Sequence, residues 1–298
     1  MPEGDTLYRV AANLRPVLHG QTLVDALGSQ ELSEGHSTVE PIDAASLVGR
    51  RIIDVRARGK HLMIATDDSR VIHSHLGMTG SWHVYPLGEP WRKSERRAGL
   101  ALFTREHAAV LFSPKELSLV SATRMRRDDY VNRLGPDLMR PADPLAAILP
   151  RLRVHNAAPI GEAVMNQTIA AGIGNVYKSE TLFLACINPW TRVGELSDEV
   201  LMQYLKNARR LMWINRGNGP RVTRFENDGR RHWVYGRRGE PCFKCGGVIT
   251  LRRQGDAGRT TYWCQACQPA TPRQQATGTA PRANAEAQRR QPPNKGCG

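Results

Sequence analysis

Two pairs of cysteines offer the most specific chemistry in the chain. Cys242-Phe-Lys-Cys245 and Cys264-Gln-Ala-Cys267 are each a C-x2-C pair, with eighteen residues between them. Four thiolates at that spacing can close a tetrahedron around one structural zinc ion, and a fully ligated site holds a fold rather than performing chemistry. Two redox dithiols are the competing reading, without a thioredoxin-like context to support it. Between the pairs, Val248–Arg252 and Arg259–Trp263 read as hairpin arms, with Gln254-Gly-Asp-Ala-Gly258 as the turn. Such a ribbon would present Arg252, Arg253 and Arg259 to backbone phosphates. A second candidate is the amino terminus. Pro2 is small, so Met1 is expected to be removed, which leaves a secondary amine. An α-amine titrates near pH ~8, so part of it is neutral and nucleophilic at physiological pH. Attack on a sugar C1′ would give an iminium, with Glu3 as the adjacent general acid/base. An incidental residue at a frayed end is the competing reading. A third candidate is Gln167-Thr-Ile-Ala-Ala-Gly-Ile-Gly-Asn175, where Gly172 and Gly174 precede a helix expected near Val176. Helix N-termini favour anions, so the loop is a phosphate clamp with Asn175 as a donor, or else a tight turn between helices.

These groups need a scaffold. The chain has 298 residues and a formal charge of +14, which favours a polyanionic partner, nucleic acid before membrane surface. Its hydrophobic fraction of 40% argues against whole-chain disorder. No apolar run is long enough for a membrane span and no secretory leader is visible, so an intracellular protein is expected. Leu7, Val10, Ala11, Leu14 and Leu18 predict a helix over 5–19 that stops at Gly20. Short runs rich in branched residues follow: Arg51–Val55, His61–Thr66, Val71–Leu76, Leu100–Thr104, Val110–Ser113 and Leu117–Ala122. They predict an antiparallel sandwich or barrel. Prolines 141, 144, 150 and 159 mark a linker into a helical part, whose strongest helix spans 198–214 with Ser197 as its cap. Cys186 is expected in the core of an apolar helix, and Cys297 in the tail is expected to be inert. Beyond Gln268 the chain is Pro, Gln, Ala, Arg and Gly without period, expected to be disordered, basic and weakly DNA-attracting at most.

Taken together, Pro2-Glu3-Gly-Asp5, Arg58-Gly-Lys60-His-Leu, Ser74-His-Leu-Gly-Met78-Thr-Gly80, Arg133-Leu-Gly-Pro136, Ala171-Gly-Ile-Gly-Asn175 and the cysteine ribbon stand in one order. This resembles the formamidopyrimidine-DNA glycosylase / endonuclease VIII family of base-excision repair enzymes, over about residues 1–268. The resemblance implies an α+β fold: an N-terminal helix plus antiparallel β-sandwich (1–125), a helix–two-turn–helix DNA-binding domain (126–235), a four-cysteine zinc ribbon (236–268), and outside it the tail (269–298). It implies a monomeric DNA glycosylase and abasic-site lyase acting on damaged DNA, with no membrane partner, in the cytoplasm or at the nucleoid. It also implies roles: Pro2 the Schiff-base nucleophile, Glu3 the proton donor, Lys60 the lysine assisting β-elimination, and Arg259 the ribbon arginine that grips phosphates and supports δ-elimination. Asn175 would bind phosphate and Arg133 would contact DNA. Met78 would be an apolar wedge, with a core methionine at a strand end as its alternative.

The family marks are mixed. Pro2-Glu3-Gly-Asp resembles the endonuclease VIII branch, whereas His75-Leu-Gly-Met-Thr-Gly resembles the purine branch. Phe112-Ser-Pro-Lys-Glu-Leu117 lacks the arginine–aromatic pair that completes the purine branch's wedge, and Gly217–His232 is short for a loop capping 8-oxoguanine. Oxidised pyrimidines, with hydantoins included, are therefore expected before purines. A sister enzyme acting on 8-oxoguanine and formamidopyrimidines, or a non-catalytic DNA-binding member of the fold, is the alternative. Glu226, Asp228 and the histidines are expected at the surface.

Overall fold

The computed structural model describes residues 2–33, 41–127 and 129–270. Met1, Cys297 and all but the first two residues of the expected tail lie outside the described residues. The predicted first helix is α1 (Gly4–Leu18), and its stripe Leu7, Ala11, Leu14 and Leu18 is buried. Each such leucine contributes about 2 kcal/mol on leaving water.

Next come β1 (Asp25–Gly28), α2 (Ser29–Ser33), β2 (Ile52–Arg58), β3 (His61–Thr66), β4 (Arg70–His75), β5 (Ser81–Pro86), β6 (Ala98–Phe103), β7 (His107–Phe112) and β8 (Glu116–Ser121). Among the described residues they form two four-stranded antiparallel sheets, ordered β1-β6-β7-β5 and β2-β3-β4-β8. Leu62, Ile64 and Ile72 from one sheet meet Leu100, Leu102 and Leu111 from the other, with Leu7 and Leu14 of α1 in the same core. This is the expected sandwich. The six predicted strands are present within a few residues at each end; β1 and β5 were not foreseen. Both are edge strands. The first has four residues, and the second mixes Ser81, His83 and Pro86 into its pattern, as an edge tolerates.

The outer face of the β2–β8 sheet makes a second, smaller core, in which Met63 and Val71 meet Met125, Val131, Leu134 and Ala171. Met125 and Val131 lie on α3 (Ala122–Arg127) and α4 (Asp129–Arg133), the connection to the helical part. That part contains α5 (Ile148–Arg153), α6 (Ile160–Ala163), α7 (Asn175–Leu184) and α8 (Asp198–Ile214), packed around Tyr177, Leu182, Tyr204 and Leu205. Ser197 caps α8 by accepting from the Val200 N–H, as predicted. The ribbon pairs β9 (Ile249–Gln254) with β10 (Arg259–Cys264). It is fastened to the helical part: the Gln254 amide donates to Pro189 O at 2.9 Å, the Gln268 amide donates to Ile187 O at 2.7 Å, and Trp190 and Trp263 meet edge to face.

Two expectations need correction. Cys186 lies beyond the end of α7, exposed, with φ 55°, and is not a core residue. The histidines are not all at the surface. His61 and His73 are buried, with His61 Nδ1 and His73 Nε2 2.8 Å apart, because β3 and β4 set them side by side on the sheet's outer face. Burial, with His73 second, depresses His61 to about 3, so the His61 ring stays neutral beside His73.

Candidate active site

A cleft of about 1180 Å³ runs between the sandwich, the helical part and the ribbon. Pro2, Lys60, Met78 and Arg259 all line it, although they stand far apart in sequence. Each is placed by a tight local device. Lys60 occupies the two-residue turn between β2 and β3, where Gly59 has φ 57° and donates its N–H to the buried Asp137 carboxylate at 2.7 Å. Burial lowers the Lys60 ammonium to about 8; Glu3 opposes that shift, while Arg259 and Arg221 add to it. Met78, at the tip of the turn between β4 and β5, is 72% exposed, which removes the core reading of this residue. Arg259 opens β10 and is exposed.

Glu3 is fully buried behind Pro2. Its carboxylate accepts from the backbone N–H groups of Gly174 and Val176 at 2.7 Å each, and of Tyr177 at 3.3 Å. The glycine loop therefore does bind an anion at a helix N-terminus, and that anion is the protein's own Glu3. Gly174 is required for this seat: a Cβ there would lie 2.4 Å from Glu3 Cδ. Asn175 is also buried and donates from Nδ2 to Thr260 Oγ1 at 2.9 Å, linking the loop to the residue after Arg259. Its Oδ1 is buried without a partner. Arg133 is exposed at the end of α4 and does not line the cleft.

Sequence reading missed several residues here. Lys178 lines the cleft, donates to Thr261 Oγ1 at 2.8 Å and is lowered to about 8, first by burial and then by Arg259. Arg221 donates to Asp5 Oδ1 at 2.5 Å, with Glu3 Oε1 3.7 Å away. Glu180 accepts from Trp233, Val234 and Tyr235 N–H and from the Thr223 hydroxyl, fixing the approach to the ribbon. The acidic residue two turns from a helix start and the arginine in a polar loop had no local pattern to mark them.

In the ribbon, the four cysteine sulfurs lie within 4.8 Å of one another, so the group could hold a metal ion. Cys242 and Cys267 are 3.8 Å apart and Cys245 and Cys264 are 3.4 Å apart. A tetrahedral zinc with Zn–S bonds of about 2.3 Å asks for S···S distances of roughly 3.8 Å, so the donor set and its spacing fit.

The formamidopyrimidine-DNA glycosylase N-terminal domain matches residues 1–126, and the formamidopyrimidine-DNA glycosylase H2TH domain matches residues 134–215. The chain belongs to the formamidopyrimidine-DNA glycosylase family. Among the family's members, a probable endonuclease 8 2 of Streptomyces coelicolor is 37% identical, over 95% of this chain and all of that protein. The DNA-(apurinic or apyrimidinic site) lyase Nei2 of Mycolicibacterium smegmatis is 36% identical, over 91% of this chain and all of that protein. The MutM (Fpg) protein of Thermus thermophilus superposes with a TM-score of 0.72 at 28% identity, covering 91% of this chain and all of its own. No helix among the described residues is long and apolar enough to cross a membrane.

Proposed function

We propose that the protein is a bifunctional DNA glycosylase and abasic-site lyase of base-excision repair, acting on oxidised bases, pyrimidines before purines. The observation behind this reading is the shared cleft: Pro2 lines it together with Lys60, Met78 and Arg259, and Glu3 sits directly behind. A damaged base inside a duplex is out of reach, so the nucleotide swings out and an exposed apolar side chain, Met78, fills the gap. Once Met1 is removed, the Pro2 nitrogen bonds to C1′ as the base leaves. The C1′–O4′ bond opens, Glu3 gives a proton to O4′, and an iminium remains. The iminium acidifies C2′. Lys60, partly neutral at physiological pH, takes the C2′ proton as the 3′ phosphate departs. A second elimination expels the 5′ phosphate, with Arg259 gripping it, and water then hydrolyses the imine to return the Pro2 amine. Asn175 and Arg133 serve as phosphate and DNA contacts.

Pyrimidine preference is supported by the stretch 217–232. None of it lines the cleft, and Arg9 holds it by donating to Gly217 O and Gly219 O, so no cap closes over a larger base. The four thiolates hold a structural zinc, which supplies fold stability to the ribbon when bound. The protein works as an intracellular monomer on damaged DNA, with its functions divided among 1–125, 126–235 and 236–268.

Borohydride reduction in the presence of thymine glycol, dihydrouracil, abasic and 8-oxoguanine duplexes tests the reading. Covalent adducts strongest with the pyrimidine lesions are expected; no adduct on any duplex would leave a DNA-binding protein without chemistry, and strongest trapping on 8-oxoguanine would reverse the base preference. Two further outcomes are expected. Arg259→Ala weakens binding and lowers the slope of log affinity against log salt by about 1, measured by fluorescence anisotropy; an unchanged slope removes Arg259 from the phosphates. Stripping the metal with a chelator weakens duplex binding by at least about 100-fold as the ribbon unfolds; full binding after verified metal loss would refute a structural ion.

A further inference from the structure

The loop that leaves α8 delivers a guanidinium into the protein's interior. Arg221 Nη2 donates to Asp5 Oδ1 at 2.5 Å and to Thr6 Oγ1 at 3.0 Å, and Nε donates to Asp5 Oδ2 at 2.9 Å. Nη1 lies 3.7 Å from Glu3 Oε1. The guanidinium also stacks 4.9 Å from the ring centroid of Tyr177, whose hydroxyl donates to Asp5 Oδ2 at 3.1 Å. The loop is built to hold it there: Asn215 exchanges two hydrogen bonds with the backbone of Val222, the next residue. The side chains of Glu3 and Asp5 are 0% and 1% exposed and that of Arg221 is 13% exposed.

Two buried carboxylates two residues apart repel one another, and each is costly without a counter-charge. We propose that Arg221 is a positioning residue of the site: it clamps the Glu3–Asp5 segment against Tyr177 and supplies the counter-charge that fixes where Glu3 sits. The inference rests on the Pro2–Glu3 reading above. The groups that act electrostatically with Glu3 come from every side. They are Asp5 and Arg221, Tyr177 and Lys178 of α7, Tyr204 of α8, Lys60 of the β2–β3 turn, and His232 and Tyr235 before the ribbon. Arg259 of β10 faces Lys60 and Lys178 in turn. Arg221 is the ion-pair partner within 4 Å that the structure gives Glu3, and it is also one of the cations that depress Lys60.

Removing its charge takes away one of the cations that depress Lys60, so the Lys60 amine holds its proton to higher pH. The acid limb of the pH–rate profile, which needs the neutral amine, therefore moves to higher pH. Single-turnover cleavage of a lesion duplex across pH 5–10 tests this. Arg221→Gln should lose about 10-fold or more in rate at neutral pH and shift the bell alkaline by about half a unit or more. Arg221→Lys should keep the bell in place at a reduced rate. Adding Asp5→Asn to Arg221→Gln should restore part of the lost rate, because one of the two buried carboxylates left without a counter-charge is gone. A bell in Arg221→Gln that superimposes on the parent's, or no rate recovered in the double variant, would overturn the proposal and leave only a loop tether. If Arg221→Gln does not fold, Arg221→Lys alone decides: a reduced rate with the bell in place supports the proposal and a parental rate refutes it. Acetylating the Pro2 nitrogen separates the two levels. An adduct that persists in the blocked protein defeats the underlying reading, whereas an adduct lost there beside an unmoved bell in Arg221→Gln defeats this inference alone.

Discussion

Blocking the Pro2 nitrogen, by acetylation or by a retained N-terminal extension, should abolish the borohydride adduct and lower strand cleavage by on the order of 10³-fold or more. The amine has no substitute of equal reach. Lys60 shares the cleft but is drawn on as a base, and Lys178 is engaged with Thr261 and the Thr260 carbonyl. Duplex affinity should persist, because Arg259 and the ribbon are untouched by the block. Mass spectrometry of the active fraction is the decisive control: methionine retained on fully active molecules would end the Schiff-base account.

Glu180→Ala should be among the most destabilising single changes in the chain. This buried carboxylate accepts from three consecutive backbone N–H groups, Trp233 to Tyr235, and from the Thr223 hydroxyl. Truncation leaves the three N–H groups unpaired at about 1–3 kcal/mol each, so a loss of about 3 kcal/mol or more is expected. For a chain of this size that lowers the melting temperature by about 6 °C or more. The arginine-rich stretch 216–238 should become quickly cleaved by trypsin. A variant melting within about 2 °C of the parent would show that the ribbon's mounting does not depend on this carboxylate.

What the sequence disclosed and what it hid follow from the range of each signal. Periodicity is local, so α1, α8, the β2–β4 run and the ribbon hairpin were legible from residue spacing alone. The cysteine array was legible because metal ligation fixes both residue type and interval. The edge strands were not, since a strand with one neighbour tolerates polar residues and proline. Nor could any local pattern show that Glu3 is seated on the start of α7, that Asp137 holds the Lys60 turn, or that Arg221 reaches Asp5. Each of these contacts spans more than 70 residues. The family motifs brought Pro2, Glu3, Lys60 and Arg259 together as a set, but their grouping in space is a property of three separately folded pieces. Asn175 shows the limit most plainly: a glycine loop draws attention to the residue, while its bond to Thr260 has no local signal.

The Gly4 N–H donates to Gly172 O at 2.9 Å, and a Cβ on Gly4 would lie 2.9 Å from Gly172 Cα. Residues made first thus find their seat among residues made some 170 positions later, with Arg221 later still. During translation the leading end emerges long before its socket exists, so Glu3 reaches its backbone donors only once residues 174–177 have been made. The seat of the leading end is therefore among the last parts of the molecule to be completed.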